Sequence, residues 1–208
     1  MTGTQEPKSE KLKEVYRDRT VDDQREIYRE WAETYDAQTT GEFGWMGFKP
    51  AAEVFAKRVT DRSARVLDAG CGTGLSGLAL SEFGFGNLHG RDLSREMLAI
   101  AEDRNVYQSL GEVDLTVPLT EEPFDAVISV GVFGFGPPFP EHIHHLVNAT
   151  KPDGLVILTV NGKGWVDRKW DTVLPDVIRT DNLRLTEQLD IPYLEKEEIN
   201  GKLLVFRA

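Results

Sequence analysis

Cysteine is almost missing from this sequence: Cys71 is the single one in 208 residues. An internal disulfide needs two, and a cysteine-based metal centre needs several thiolates at set spacings, so both are excluded. Positive charge is also scarce, with 24 Lys and Arg against 35 Asp and Glu, a net charge of -11. Such a surface repels phosphates, and the densest basic stretch, Arg17 to Arg29, is interrupted by Asp18, Asp22, Asp23 and Glu26. No nucleic-acid partner is expected. No apolar run approaches the roughly 18–20 residues that cross a bilayer. The opening stretch MTGTQEPKSEKLKEVYRDR holds no apolar signal-peptide core, so the expectation is a cytoplasmic protein with no membrane partner.

What is present is ordinary globular material, 40% hydrophobic and 28% charged, in a length that suits one core. Residues 1–12 are polar and aperiodic and are expected to form a disordered tail. From Thr20 to Ala37, Val21, Ile27, Tyr28, Trp31, Ala32 and Tyr35 recur at helical spacing, with Thr20 or Asp22 as the cap. Trp31 reads as core. A glycine-rich break, Gly41 to Gly47, precedes a second helix over Pro50 to Thr60. Residues 13–60 are thus expected to form a helical unit ahead of the main domain, 61–208.

From Arg65 onward short apolar runs alternate with helical stretches: 65–69, 75–83, 87–93, 94–103, 106–115, 124–130, 140–150 and 155–160. That rhythm predicts an α/β fold, a mostly parallel sheet with helices on both faces. Trp165 to Ile178 reads as one helix containing Pro175. The last two runs, Leu183 to Leu189 and Leu203 to Phe206, are close in sequence across a link with Asn200 and Gly201 and predict an antiparallel pair at the sheet edge.

The most informative stretch is VLDAGCGTGL at 66–75, a strand ending in a glycine turn that opens a helix. Glycine lets a backbone approach a ligand closely, and the helix start presents free N–H groups. Asp92, about 20 positions on at the end of the next strand, is placed to accept hydrogen bonds from a ribose diol. GTGLSG at 72–77 formally matches a dinucleotide fingerprint, but out of register: Asp68 and Gly70 come first and bring a carboxylate where a pyrophosphate would lie. A cofactor with cationic groups and no phosphate turns Asp68 from a liability into an asset.

With VLDAGCGTG, GRDLSREML at 90–98, VDL at 113–115 and FDAVISVGVF at 124–133, the chain resembles the class I S-adenosylmethionine-dependent methyltransferases. The resemblance implies a Rossmann-like seven-stranded sheet, mostly parallel with an antiparallel last strand. It also implies S-adenosyl-L-methionine as cofactor: Asp68, Gly70, Gly72 and Gly74 at its methionine and ribose end, Asp92 with Leu93 on the ribose hydroxyls, and Asp114 with Leu115 at the adenine. Glu112, two residues before Asp114 on the same face, is the alternative acid. Val130, ending the fourth strand, lines the same site. More narrowly, residues 28–55, 144–159 and 192–208 are similar to the Williams–Beuren region methyltransferase-like proteins. In related enzymes a Tyr-Asp pair ahead of the first strand belongs to a helical lid, which makes Tyr35 a lid contact. A sulfonium packed on its ring gains roughly 0.5–2 kcal/mol.

The acceptor side is less defined. The segment VGVFGFGPPF at 130–139 lacks the Asn/Asp-Pro-Pro-Tyr pattern that similar enzymes use on base amines and reads instead as an apolar acceptor wall. His142 and His145 are the first candidates for a general base, with Tyr16, Tyr28 and Glu141 as alternatives. No metal ligand set is evident. The expected activity is in-line methyl transfer to a small-molecule acceptor; a protein substrate or a non-catalytic cofactor-binding role are the alternatives, and oligomeric state is left open.

Overall fold

The structure, a computed structural model, describes residues 7–9, 12, 13, 17 and 20–208. Helix α1 (Val21–Asp36) opens on a capping box: the Thr20 hydroxyl accepts from the Asp23 amide at 3.1 Å, and the Asp23 carboxylate accepts from the Thr20 amide at 2.9 Å. Two first-turn donors are satisfied in this way. The helix then widens without interruption into a π-helical stretch, Ala37–Glu42, so the break expected at Gly41 comes later. Helix α2 (Phe48–Arg58) follows and starts two residues ahead of Pro50.

Strand and helix then alternate as the sequence rhythm predicts: β1 (Val66–Ala69), α3 (Leu75–Glu82), β2 (Leu88–Asp92), α4 (Arg95–Glu102) and β3 (Tyr107–Glu112). Next come β4 (Phe124–Phe133), a 3-10 turn (Pro140–His142) running into α5 (Ile143–Asn148), and β5 (Thr150–Asn161). The expected single helix after β5 is two, α6 (Gly162–Asp167) and α7 (Trp170–Thr180), separated where Lys169 takes a left-handed φ of +52°. β6 (Arg184–Leu194) and β7 (Ile199–Arg207) close the chain. Asn200 and Gly201 lie inside β7, opposite Pro192 and Ile191, and the reversal falls at 195–198 instead.

The seven strands run in the order β3-β2-β1-β4-β5-β7-β6. The first five are parallel, and β7 is antiparallel to both β5 and β6. Alternate residues of the central strands face opposite layers, since strand side chains have period two. Val66, Ile128, Leu155 and Ile157 join Phe55, Leu80 and Phe85 in one core. Leu67, Val127, Val156 and Leu158 join Ile143, Leu146 and Trp170 in the other. Both faces of the sheet are therefore covered, which is why its central strands read as nearly continuous apolar runs.

The disordered tail expected over 1–12 needs correction where it is described. Pro7 is buried, Leu12 is 4% exposed in the first core, and the Ser9 and Lys8 amides face the Glu197 carboxylate. An isolated Leu carries no periodic signal, so its burial against distant residues is invisible locally. The rest of that segment, and Tyr16, lie outside the described residues.

Candidate functional site

In an open α/β sheet the crevice forms where successive connections leave in opposite directions, at the carboxyl ends of the strands. Here that point lies between β1 and β4. A cleft of about 830 Å³, partly open to solvent, occupies it. Tyr35, Gly70, Gly72, Asp92, Leu93, Asp114, Leu115 and Val130 all line it, eight of the ten residues expected to hold the cofactor.

The glycine turn is held rigidly. The Gly70 and Cys71 amides both donate to the Arg91 carbonyl, at 2.7 and 3.0 Å, and the Gly72 amide donates to Asp92 Oδ2 at 2.8 Å. Gly72 has φ +53°, and a Cβ there would meet nothing within 4 Å, because that position opens onto the cleft. Gly70 is enclosed differently: a Cβ would fall 2.2 Å from Val132 Cγ2.

Asp92 already works within the protein. Its Oδ1 accepts from the Ser94 amide at 2.9 Å, so each oxygen holds one backbone donor and retains acceptor capacity for another. Burial pushes its carboxyl above the usual range, opposed by those backbone bonds. Asp114 Oδ1 accepts from the Thr116 amide and hydroxyl at 2.8 and 2.7 Å. Glu112, the alternative acid, turns outward and pairs with Arg95. The choice between them falls to Asp114 because it lies past the strand end, where the chain bends over the cleft.

Two expected contacts sit elsewhere. Asp68 is fully buried beneath the turn, where Tyr107 Oη donates to Oδ2 at 2.7 Å and Oδ1 has no hydrogen-bond partner among the described residues. Burial drives its carboxyl up to about 7. Gly74 faces α4, where a Cβ would come within 3.3 Å of Ala101 Cα and 3.1 Å of Arg104 Cγ; its smallness serves helix packing.

The histidines are also corrected. His145 is buried, and its Nδ1 lies 3.1 Å from the Leu115 carbonyl, to which it donates. Burial lowers its pKa, which favours the neutral ring. His142 Nδ1 meets the Phe139 amide at 3.0 Å. Neither lines the cleft, because α5 packs on the sheet face below its mouth. His145 instead supports the cleft wall at Leu115.

Trp45, Gln24 and Met97, not singled out by the sequence reading, face the cleft; so does Tyr28, read there as an alternative base, and Pro137 and Pro138 of the expected acceptor wall close it from the loop after β4. Tyr35 stands edge-on to Tyr28 at 6.2 Å, Trp31 at 4.8 Å and Trp45 at 6.4 Å. Burial among these rings pushes its phenol well above its ordinary value. Asp36, next in sequence, accepts from the Thr73 hydroxyl at 2.5 Å and pairs with Arg104, which ties the end of α1 to the glycine turn. The signal available for Tyr28 was its helical spacing from Trp31 and Tyr35; for Trp45 there was none.

The electrostatics are one-sided. Asp92 and Asp114 line the cleft and Asp68 lies beneath, while no Lys, Arg or His lines it among the described residues. A pyrophosphate fits poorly there. A ligand with a ribose, an ammonium and a sulfonium fits, since hydroxyls find acceptors, cations find carboxylates and π-faces, and nothing repels them.

Comparison with known proteins agrees with that chemistry. Residues 67–158 match the family model described as a methyltransferase domain. Human methyltransferase-like protein 27 is 36% identical over 138 residues, 64% of this chain and 56% of that protein. Trans-aconitate 2-methyltransferase of Rhizobium rhizogenes is 29% identical over 111 residues, 53% of this chain and 43% of that one. The chain thus spans about half the length of these curated relatives. Among solved structures, magnesium protoporphyrin IX methyltransferase of Synechocystis with bound S-adenosylmethionine superposes with a TM-score of 0.63 at 17% identity, covering 88% of this chain and 97% of that one. This last likeness is one of fold.

Proposed function

We propose that this chain is a class I S-adenosylmethionine-dependent methyltransferase that transfers a methyl group to a small-molecule acceptor in the cleft between β1 and β4, a reading supported by the methyltransferase-domain match over residues 67–158. The observation that carries the proposal is the convergence of the glycine turn, Asp92, Asp114 and Tyr35 on one cleft that holds carboxylates and rings but no described cationic side chain. Asp92 takes the ribose hydroxyls on the lone pairs that Gly72 and Ser94 leave open. Asp114 and the Leu115 backbone, steadied by His145, meet the adenine.

The bound cofactor supplies a methyl carbon already activated on a sulfonium. The protein's own tasks are alignment and exclusion of water. Tyr35 and Tyr28 offer ring faces to the positive charge, and Asp36 holds Tyr35 in place through Thr73 and Arg104. Within the lid expected over residues 13–60, α1 and the segment to Trp45 cover the cleft, while α2, whose Phe55 lies in the sheet core, belongs with the main domain. No described histidine faces the cleft, so no histidine base is assigned. The lone Cys71 suits a reducing cytoplasmic setting.

Calorimetric titration with S-adenosylhomocysteine, with NAD and NADP as controls, tests the reading. Micromolar binding of the first alone is expected, followed by transfer of labelled methyl to a small molecule. Gly72→Val fills the only open Cβ position of the turn and should abolish that binding in a folded protein. Binding of a nicotinamide cofactor instead, or methyl transfer only to a protein, would overturn it.

A further inference from the structure

A second cavity adjoins the cofactor cleft. It is partly open to solvent, with about 540 Å³ of empty space counted out to its open mouth. Tyr28, Tyr35, Trp45 and Gly131 line both cavities, so the two meet across these four residues. Gly131 sits at the junction with φ +80°, and a Cβ there would fall 3.2 Å from Trp45 Cζ2. Beyond the junction the walls are largely rings, including Phe43, Phe133, Phe135 and Tyr193.

Resting on the methyl-transfer reading above, we propose that this chamber holds the acceptor, and that the acceptor is an uncharged, flat nitrogen heteroaromatic methylated on its ring nitrogen. Three observations select that class. No charged side chain lines the chamber among the described residues, and the adjoining cleft contributes only Asp92 and Asp114. An anionic acceptor would be buried unpaired near like charge, which is costly. The walls are edge-to-face rings, a surface that suits flat aromatic guests.

The third observation concerns protons. Alcohols, phenols and alkylammonium groups must lose a proton before or during methylation, and no carboxylate or imidazole lines the chamber among the described residues. The Tyr193 phenol is bonded to Thr159 and Trp45, and burial pushes it to about 12, so it is a poor base near neutrality. A ring nitrogen has no proton to lose. Its lone pair forms the N–CH3 bond while the S–CH3 bond breaks, with that bonding pair passing to sulfur. The positive charge moves from sulfur to nitrogen, and the products are an N-methyl heteroaromatic cation and S-adenosylhomocysteine. Tyr28, Tyr35 and Trp45, which face both cavities, remain beside the charge at both ends of the transfer.

The test uses three probes of similar shape: isoquinoline, 2-naphthol and 2-naphthoate, titrated calorimetrically at pH 8 into the protein alone and with saturating S-adenosylhomocysteine. Isoquinoline should bind at least tenfold more tightly than 2-naphthoate and quench tryptophan fluorescence. With labelled donor it should yield N-methylisoquinolinium, while 2-naphthol is left unmethylated. Phe135→Lys places a cation in the chamber away from the cofactor cleft. It should weaken isoquinoline at least tenfold, improve 2-naphthoate, and leave S-adenosylhomocysteine affinity unchanged. Preference for 2-naphthoate in the unmodified protein, methylation of 2-naphthol, or no isoquinoline binding while S-adenosylhomocysteine binds would overturn the acceptor assignment alone. Failure of S-adenosylhomocysteine to bind would overturn the underlying reading and the transfer step with it.

Discussion

Asp36 and Thr73 are joined across 37 positions of sequence: the Thr73 hydroxyl donates to Asp36 Oδ1 at 2.5 Å. Arg104 completes the link by pairing with Asp36 Oδ2 and donating from Nε to the Thr73 carbonyl at 3.2 Å. The end of α1, the glycine turn and the residues after α4 are thereby held as one unit, and Tyr35 is carried to the cleft by it. Asp36→Ala should cut S-adenosylhomocysteine affinity by about tenfold. That equals about 1.4 kcal/mol and is modest because the pair is partly solvated. Calorimetry reads the affinity and thermal melting checks the fold; unchanged affinity would remove Asp36 from the positioning of Tyr35.

Asp92 holds the loop, since Gly72 and Ser94 donate to its two oxygens, and it is also the residue proposed for the ribose hydroxyls. Asp92→Ala should weaken cofactor binding by about 1–3 kcal/mol, the scale of hydrogen bonds to a charged group. Asp92→Asn keeps one acceptor and should fall between the two. Equal affinities for all three proteins, measured by calorimetry, would exclude Asp92 from the site.

Asp68 makes stability depend on pH. Its folded pKa of about 7 lies above the ordinary 3.8, so the folded state binds the proton more tightly than the unfolded one. The resulting stabilisation is complete below about pH 4 and is lost as pH rises through 7, with no further change beyond. In the cofactor-free protein, thermal melts from pH 5 to 8 should show this fall. Asp68→Asn should abolish its part of it and melt higher at pH 8, and parallel profiles for both proteins would contradict the assignment.

The histidines divide into one that supports and one that does not. His145→Ala removes the donor to the buried Leu115 carbonyl and should cost about 1–3 kcal/mol of stability. His142→Ala should leave methyl transfer within about twofold, since its ring meets the Phe139 backbone and the Phe139 and His145 rings and does not line the cleft. A hundredfold loss of turnover in a folded His142→Ala protein would restore it as a base.

The glycine turn, Asp92 and the alternation of strands and helices were legible because each depends on neighbours within a few residues. Val66-Leu67-Asp68-Ala69 followed by three positive-φ glycines reads as strand and turn without knowledge of the rest. Gly74 shows the limit of such local reading. Its φ of +89° is a local demand, but whether its missing side chain makes room for a ligand or for Ala101 depends on where α4 packs. Pro7 and Leu12 show the reverse case, residues with no local pattern whose burial is settled by distant partners.

The sequence by itself determined the order of elements, the antiparallel end of the sheet, the cofactor turn and the acid-rich, disulfide-free chemistry, because periodicity, turn preference and net charge are local or additive properties. The tertiary structure alone decided that Asp114 and not Glu112 faces the cleft, that His145 supports a wall, and that Asp36 reaches Thr73. It also assembled the aromatic chamber, bringing Tyr28 of α1, Trp45 of the connection before α2 and Tyr193 of β6 together. Such contacts depend on the direction in which each side chain leaves its strand or helix once the layers have packed, and that direction is set by the whole core.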